Sequence, residues 1–146
     1  MNRILERLYL GDWKDAVNCK LKKEMNIKVH INVAKEITVK ECGDIEYYHL
    51  KLMDGNPFYS EIIKECTSLI KLKRDKNRIL LSCAAGVSRS PAMMLCYMHE
   101  TGWDINQALD WMRHIRPLVN PNPVILESIR KYYKIDIIKE LEILRG

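Results

Sequence analysis

The sequence predicts an α/β domain with a central, mostly parallel twisted sheet flanked by helices and a helical C-terminal part. Three observations carry this. Short runs rich in β-branched residues alternate with stretches of helical periodicity, the pattern of βα units. Everything after the last strand-like run reads as helix. No internal repeat, low-complexity segment or Gly/Ser-rich linker interrupts the 146 residues, so residues 1–146 read as a single domain.

Ile4 to Leu10 reads as a short strand of alternating apolar residues. Asp12 or Asp15 can cap a helix reaching about Met25. Lys28 to Ala34 reads as a buried strand. Ile45 to Met53 is a further strand, with Tyr48, Leu50 and Leu52 on one face, broken by the turn Asp54-Gly55-Asn56-Pro57. Ser60 can cap a helix from Glu61 to about Lys73, where Ile62, Cys66, Leu69 and Ile70 recur at helical spacing. Arg78 to Ser82 is the central strand. A helix leaves at Pro91, with Ser90 near the N-cap, and Gly102 ends it after Thr101. Asp104 and Gln107 form a capping-box signature for a helix to Ile115. Pro123 to Leu144 reads as one or two helices, broken near Ile135-Asp136.

Composition narrows the function classes. The chain is 47% hydrophobic and 29% charged, ordinary for a globular protein. No run is long enough for a membrane span, and the first residues lack the apolar core of a signal peptide. The five cysteines have irregular spacings and no Cys-x2-Cys pair. A disulfide framework and a zinc site are therefore not expected, and a reducing, cytoplasmic setting is. Cys19, Cys42, Cys66 and Cys96 read as ordinary thiols. The net charge of +5 favours acidic ligands. The basic clusters Lys20, Lys22, Lys23 and Lys71, Lys73, Arg74, Lys76 lack interleaved aromatics, so they read as solvated faces and disfavour nucleic acid as partner.

The segment Leu80 to Pro91 carries the chemistry. A strand ends in Cys83, a loop of small residues follows, and Arg89 precedes a helix start. Successive N–H groups of such a loop, together with the helix N-terminus, form an anion cradle. The residues that would line it are Ala84, Ala85, Gly86, Val87, Ser88 and Arg89. Arg89 offers a planar fork of donors to phosphate oxygens. Positive potential at the cradle favours the Cys83 thiolate, a nucleophile aimed at phosphorus. Ser90 can cap the helix, donate to the Cys83 sulfur, or both. Asp54 is either a general acid or a turn-capping aspartate on the residues alone, and Asp44 is a weaker competitor. His30, His49, His99 and His114 read as surface or packed residues, and Trp103, Trp111 and Met112 as a helix packing face. No metal constellation appears, and thiolate chemistry needs neither metal nor cofactor.

Cys83-x5-Arg89-Ser90-Pro91, with Gly86 and Ser88, resembles the signature loop of the cysteine-dependent protein tyrosine phosphatases, in their dual-specificity branch. Leu8-Tyr9-Leu10-Gly11 and His30-Ile31-Asn32-Val33-Ala34 look like that branch's early strands. Arg116-Pro117 with Asn120-Pro121-Asn122 looks like its closing element. The resemblance implies Cys83 as nucleophile, Arg89 as clamp, Asp54 as general acid, Ser90 as aid to thiolate departure and Asn122 as support for the loop. It implies phosphorylated protein substrates; the sequence is silent on oligomeric state, with a monomer favoured, and offers no membrane partner. The short chain implies a shallow pocket and dual specificity. Ala84 and Ala85, where phosphoinositide phosphatases carry lysines, speak against lipid substrates. One departure stands out. The family's usual His before the nucleophile is Ser82 here, which implies a less acidic thiol and weaker activity. The alternatives are an RNA 5′-phosphatase, a weakly active phosphoprotein-binding module and a sulfur-transfer enzyme.

Overall fold

The computed structural model describes residues 1–135. In chain order the elements are β1 (Asn2–Leu5), β2 (Leu8–Gly11), α1 (Trp13–Val17), α2 (Cys19–Glu24), β3 (Ile27–Ala34), β4 (Glu46–Leu52), α3 (Ser60–Arg74), β5 (Arg78–Ser82), α4 (Arg89–Glu100), α5 (Ile105–Ile115) and α6 (Pro123–Tyr133). The five-stranded sheet has the order β1-β2-β5-β3-β4. All pairs are parallel except β1 with β2. This is the predicted α/β class, and β5 is the central strand.

Alternation along the strands sends side chains to two layers. Leu8, Leu10, Val29, Ile31, Ile79 and Leu81 join the main core with α3 to α6. Tyr9, Ile27 and Leu80 form a smaller cluster with Met25, at the end of α2. Helix α4 is apolar nearly all round, as a helix buried between other helices and a sheet must be. Met93, Met94, Leu95, Cys96 and Met98 are all fully buried.

The structure corrects several boundaries. Ile4 to Leu10 is not one strand. Arg7 adopts a left-handed conformation, and β1 folds back on β2. No Gly, Asn or Asp marks that turn in the sequence. The helix expected to run to Met25 is divided at Asn18, which closes α1 and whose side chain accepts from Leu21 N–H to open α2. Asp12 and Asp15 cap α1 reciprocally. Helix α3 starts at Ser60 without a side-chain cap. Ser88, not Ser90, is the N-cap position of α4. Asp104 caps α5 as expected, accepting from Asn106 and Gln107 N–H. Helix α6 ends at Tyr133 with Lys134 left-handed. The rest of the expected tail, from Asp136 onward, lies outside the described residues.

Two corrections concern side chains. Cys19 and Cys42 form a disulfide, with Cα atoms 5.6 Å apart, rather than two free thiols. Their separation of 23 residues gives no sign that the segment after β3 folds back over the start of α2. Lys22 is not on a solvated face: it is 1% exposed and points inward from α2.

Because β5 delivers the cysteine loop, its packing should be costly to disturb. Leu81 is fully buried in the main core. Leu81→Ala is expected to destabilise the domain by about 2–5 kcal/mol, measured as a lower urea midpoint at unchanged slope.

Candidate active site

The loop from Cys83 to Ser88 joins the carboxyl end of β5 to α4, where ligands bind in open parallel sheets. Its carbonyls from Ala84 to Ser88 are all taken by groups outside the loop. Ala84 O accepts from Trp13 N–H at 2.8 Å, Val87 O from Asn120 N–H at 2.8 Å and Ser88 O from Ala92 N–H at 3.0 Å. Arg116 takes the other two, with Nε to Gly86 O at 2.9 Å and Nη2 to Ala85 O at 3.3 Å. In a trans peptide the next residue's N–H points opposite to the carbonyl. Five carbonyls held outward therefore turn the N–H groups of Ala85, Gly86, Val87, Ser88 and Arg89 inward. Gly86 has φ of +68°, and a Cβ there would meet Arg116 Nη2 at 2.5 Å and Gly11 O at 3.0 Å. Only glycine fits that close approach.

Cys83 lies at the base of a cavity of about 530 Å³, also lined by Glu36, Asp54, Arg89 and Asn122. Ser90 Oγ donates to Cys83 Sγ at 3.1 Å from the first turn of α4. The Ser90 hydroxyl thus serves the sulfur, not the helix end.

Arg89 is 4% exposed, so its charge must be matched internally. Glu36 grips it with both carboxylate oxygens, from Nη1 and Nη2 at 2.6 Å each. Nη1 also donates to Leu52 O at 2.8 Å. The end-on fork is thus occupied, which the sequence did not foresee. Of the five N–H groups of a guanidinium, those on the other edge remain: Nε and the second hydrogen of Nη2. Nε is buried and has no hydrogen-bond partner among the described residues. Glu36 reaches its place because Asn32 braces the turn after β3, accepting from Ala34 N–H and donating to Ile37 O. The Arg89 hydrogen bonds hold the Glu36 carboxyl below its ordinary range; burial works to lower Arg89, but Glu36, Cys83 and Asp54 together raise it.

Ser88 joins two loops. Its hydroxyl donates to Asp54 Oδ1 at 2.8 Å and accepts from Asn122 N–H at 2.9 Å. Asp54 also accepts from its own Gly55 N–H. Asn122 meets the loop through its backbone, while its side chain caps α6 at Val124 N–H. Asp44 is remote from this constellation, facing Lys28 at 3.8 Å.

Ser82 is fully buried on the opposite side of the strand end, and its Oγ lies 2.8 Å from His30 Nε2. Lys22 Nζ sits 3.3 Å from His30 Nδ1 and donates to Ala16 O at 2.7 Å. Burial, then Lys22 and His49, push His30 down to about 3, so the imidazole is neutral. Lysine only donates, so Nδ1 accepts and Nε2 carries the hydrogen toward Ser82.

The structure thus brings Cys83, Arg89, Asp54 and Ser88 together around one cavity, with Ser90 buried behind the sulfur. Glu36, Arg116 and His30 escaped sequence reasoning as functional residues. Arg116 was visible only as part of a resembling Arg-Pro pair. His30 stands 52 residues from Ser82, and only the parallel pairing of β3 with β5 makes them neighbours.

Comparison with known proteins agrees with this geometry. The family "Dual specificity phosphatase, catalytic domain" matches residues 8–135. Protein phosphatase Slingshot homolog 3 of Mus musculus is 33% identical over 136 residues, covering 90% of this chain and 21% of the relative. Dual specificity protein phosphatase 18 of Mus musculus is 29% identical over 138 residues, covering 90% and 72%. The crystal structure of DUSP15 superposes with a TM-score of 0.82 at 26% identity, over 99% of this chain and 94% of that one. The chain spans only 9% to 21% of the length of the Slingshot relatives of mouse, rat, human and fly. Matched along almost all its described length, and sharing the fold, the chain belongs to the dual specificity phosphatase catalytic domain family.

Proposed function

We propose that the chain hydrolyses phosphate monoesters on protein side chains, phosphotyrosine and also phosphoserine and phosphothreonine, through a cysteinyl-phosphate. One arrangement carries this: Cys83 opens a loop whose next five carbonyls are bonded away from it, beside a buried arginine whose Nε has no hydrogen-bond partner among the described residues. Three equatorial oxygens in a phosphoryl transition state require such a ring of fixed donors.

In the first step Cys83 Sγ attacks phosphorus, the P–S bond forms and the P–O bond to the substrate breaks. Asp54, placed by Ser88, gives its proton to the leaving oxygen. Both contacts to Asp54 fall on Oδ1, so Oδ2 is the oxygen to carry that proton. In the second step water attacks phosphorus, Asp54 takes the proton back and the P–S bond breaks. The departing thiolate is stabilised by the Ser90 hydroxyl. Phosphorylated proteins are the partners of this reaction, which needs Cys83 as a free thiol, as the structure has it while Cys19 and Cys42 are paired. No observation on the described residues favours RNA or sulfur transfer.

An aryl phosphate assay without added metal tests the reading. The parent should turn over, and Cys83→Ser should abolish turnover. Asp54→Asn should lower kcat by about 100-fold or more and remove the alkaline limb of the pH profile. An Asp54→Asn variant at parental rate would remove the acid assignment, and an inactive parent that still binds phosphopeptide would leave a binding module.

The Glu36 contact generates a second prediction. A carboxylate held below its ordinary value of 4.5 in the folded state adds stability that is fully present above that value. The gain is lost as pH falls through the depressed folded value. The urea midpoint of the parent should therefore drop more steeply between pH 6 and pH 3 than that of Glu36→Gln. Equal slopes would show that the pair contributes nothing to folding.

A further inference from the structure

The buried row of Lys22, His30 and Ser82 ends beside the nucleophile yet belongs to none of the steps above. These side chains are 1%, 0% and 0% exposed. Burying a lysine, an imidazole and a hydroxyl together costs far more than packing apolar groups of the same size. Each is hydrogen-bonded only along the row and to Ala16 O among the contacts seen. The direction of donation is fixed from Lys22 through a neutral imidazole to Ser82 Oγ, which leaves the Ser82 hydrogen turned away from the ring.

We propose that Lys22, His30 and Ser82 form a positioning relay, in which the Lys22 ammonium acts through two hydrogen bonds to hold the end of β5 and to favour the Cys83 thiolate. Geometry supports this from both sides of the cysteine. Ser82 is tied to α2 through His30, and Ala84 is tied to the first residue of α1 through Trp13 N–H at 2.8 Å. The α1–α2 layer thus clamps both neighbours of Cys83. Positive charge behind a hydrogen-bond chain polarises every link in the same sense. The relay answers the absence of a histidine at position 82: an imidazole arrives from the adjacent strand, with a cation behind it. None of the three touches substrate.

Other charged and titratable groups face the same parts. His49 and Tyr47 approach His30 from β4. Arg89 from α4 acts on Cys83, with Glu36 and Asp54 around the guanidinium. The test leaves all of these in place.

The relay rests on the reading of Cys83 as nucleophile, so the experiment separates the two. Iodoacetamide alkylation at Cys83, located by mass spectrometry, is followed against pH in the full chain, with thermal melts to establish folding. The parent midpoint should lie below that of a free thiol. Ser82→Ala and Lys22→Met should each raise it by about half a pH unit or more, roughly threefold less thiolate at acid pH. His30→Gln, which keeps a donor toward Ser82 and an acceptor toward Lys22, should move it less. A parent midpoint equal to that of a free thiol would remove the nucleophile reading itself. A depressed parent midpoint that stays unchanged in folded Ser82→Ala or folded Lys22→Met would overturn the relay alone. Ser82→Ala deletes a single oxygen, so it decides the matter if Lys22→Met does not fold.

Discussion

The site depends on where five carbonyl oxygens point. A loop of six residues could satisfy its own polar groups in many ways. Here every carbonyl from Ala84 to Ser88 is claimed by a group outside the loop. Trp13 comes from α1, Arg116 and Asn120 from the segment between α5 and α6, and Ala92 from α4. The inward amides are a consequence of these bonds, not of any preference of the loop itself. The orientation of the amides is thus written into the contacts between distant elements, and the small side chains at Ala84, Ala85 and Gly86 leave the space in front of them open.

The same economy governs the charges. Arg89 is too deeply buried to remain alone, but a fully sequestered guanidinium could not bind substrate. Glu36 resolves this by taking one edge and leaving the other. Its carboxylate is about half exposed, so it neutralises Arg89 at little desolvation cost of its own. Ser88 plays a comparable double part. One hydroxyl joins the acid-bearing turn at Asp54 to the start of α6 at Asn122. The Asp54 turn and the loop therefore cannot drift independently, which is what the proposed proton delivery to a leaving oxygen demands.

What could be read in the chain follows the range of the interactions. The strand of Arg78 to Ser82, the helix after it and the cap at Asp104 rest on local periodicity and local hydrogen bonds, and these were legible. Cys83, Arg89 and Ser90 were legible because they sit within one short segment. The turn at Arg7 was not, since an arginine in a left-handed conformation has no compositional mark, and its contacts to Arg74 O and Ile79 N–H lie far away in sequence. The Asn18 break was hidden by an apolar pattern that continues through it. Glu36, His30 and the Cys19–Cys42 pair are long-range facts. They appear only when parallel pairing and chain reversal are known, and no spacing rule encodes them.

Ser82 shows that a local conclusion and a long-range contact can bear on the same residue. Judged by itself, a serine before the nucleophile is a lost charge. In the folded chain β3 lies beside β5, and the His30 ring reaches the Ser82 hydroxyl across the sheet. The imidazole is not missing from the neighbourhood of Cys83; it has moved one strand over. Its neutrality is enforced by burial and by Lys22, while burial also lowers Lys22 from its own ordinary value. A sheet edge-to-edge neighbour can thus supply what the adjacent residue in sequence lacks, because parallel register places side chains of the same face within hydrogen-bonding distance.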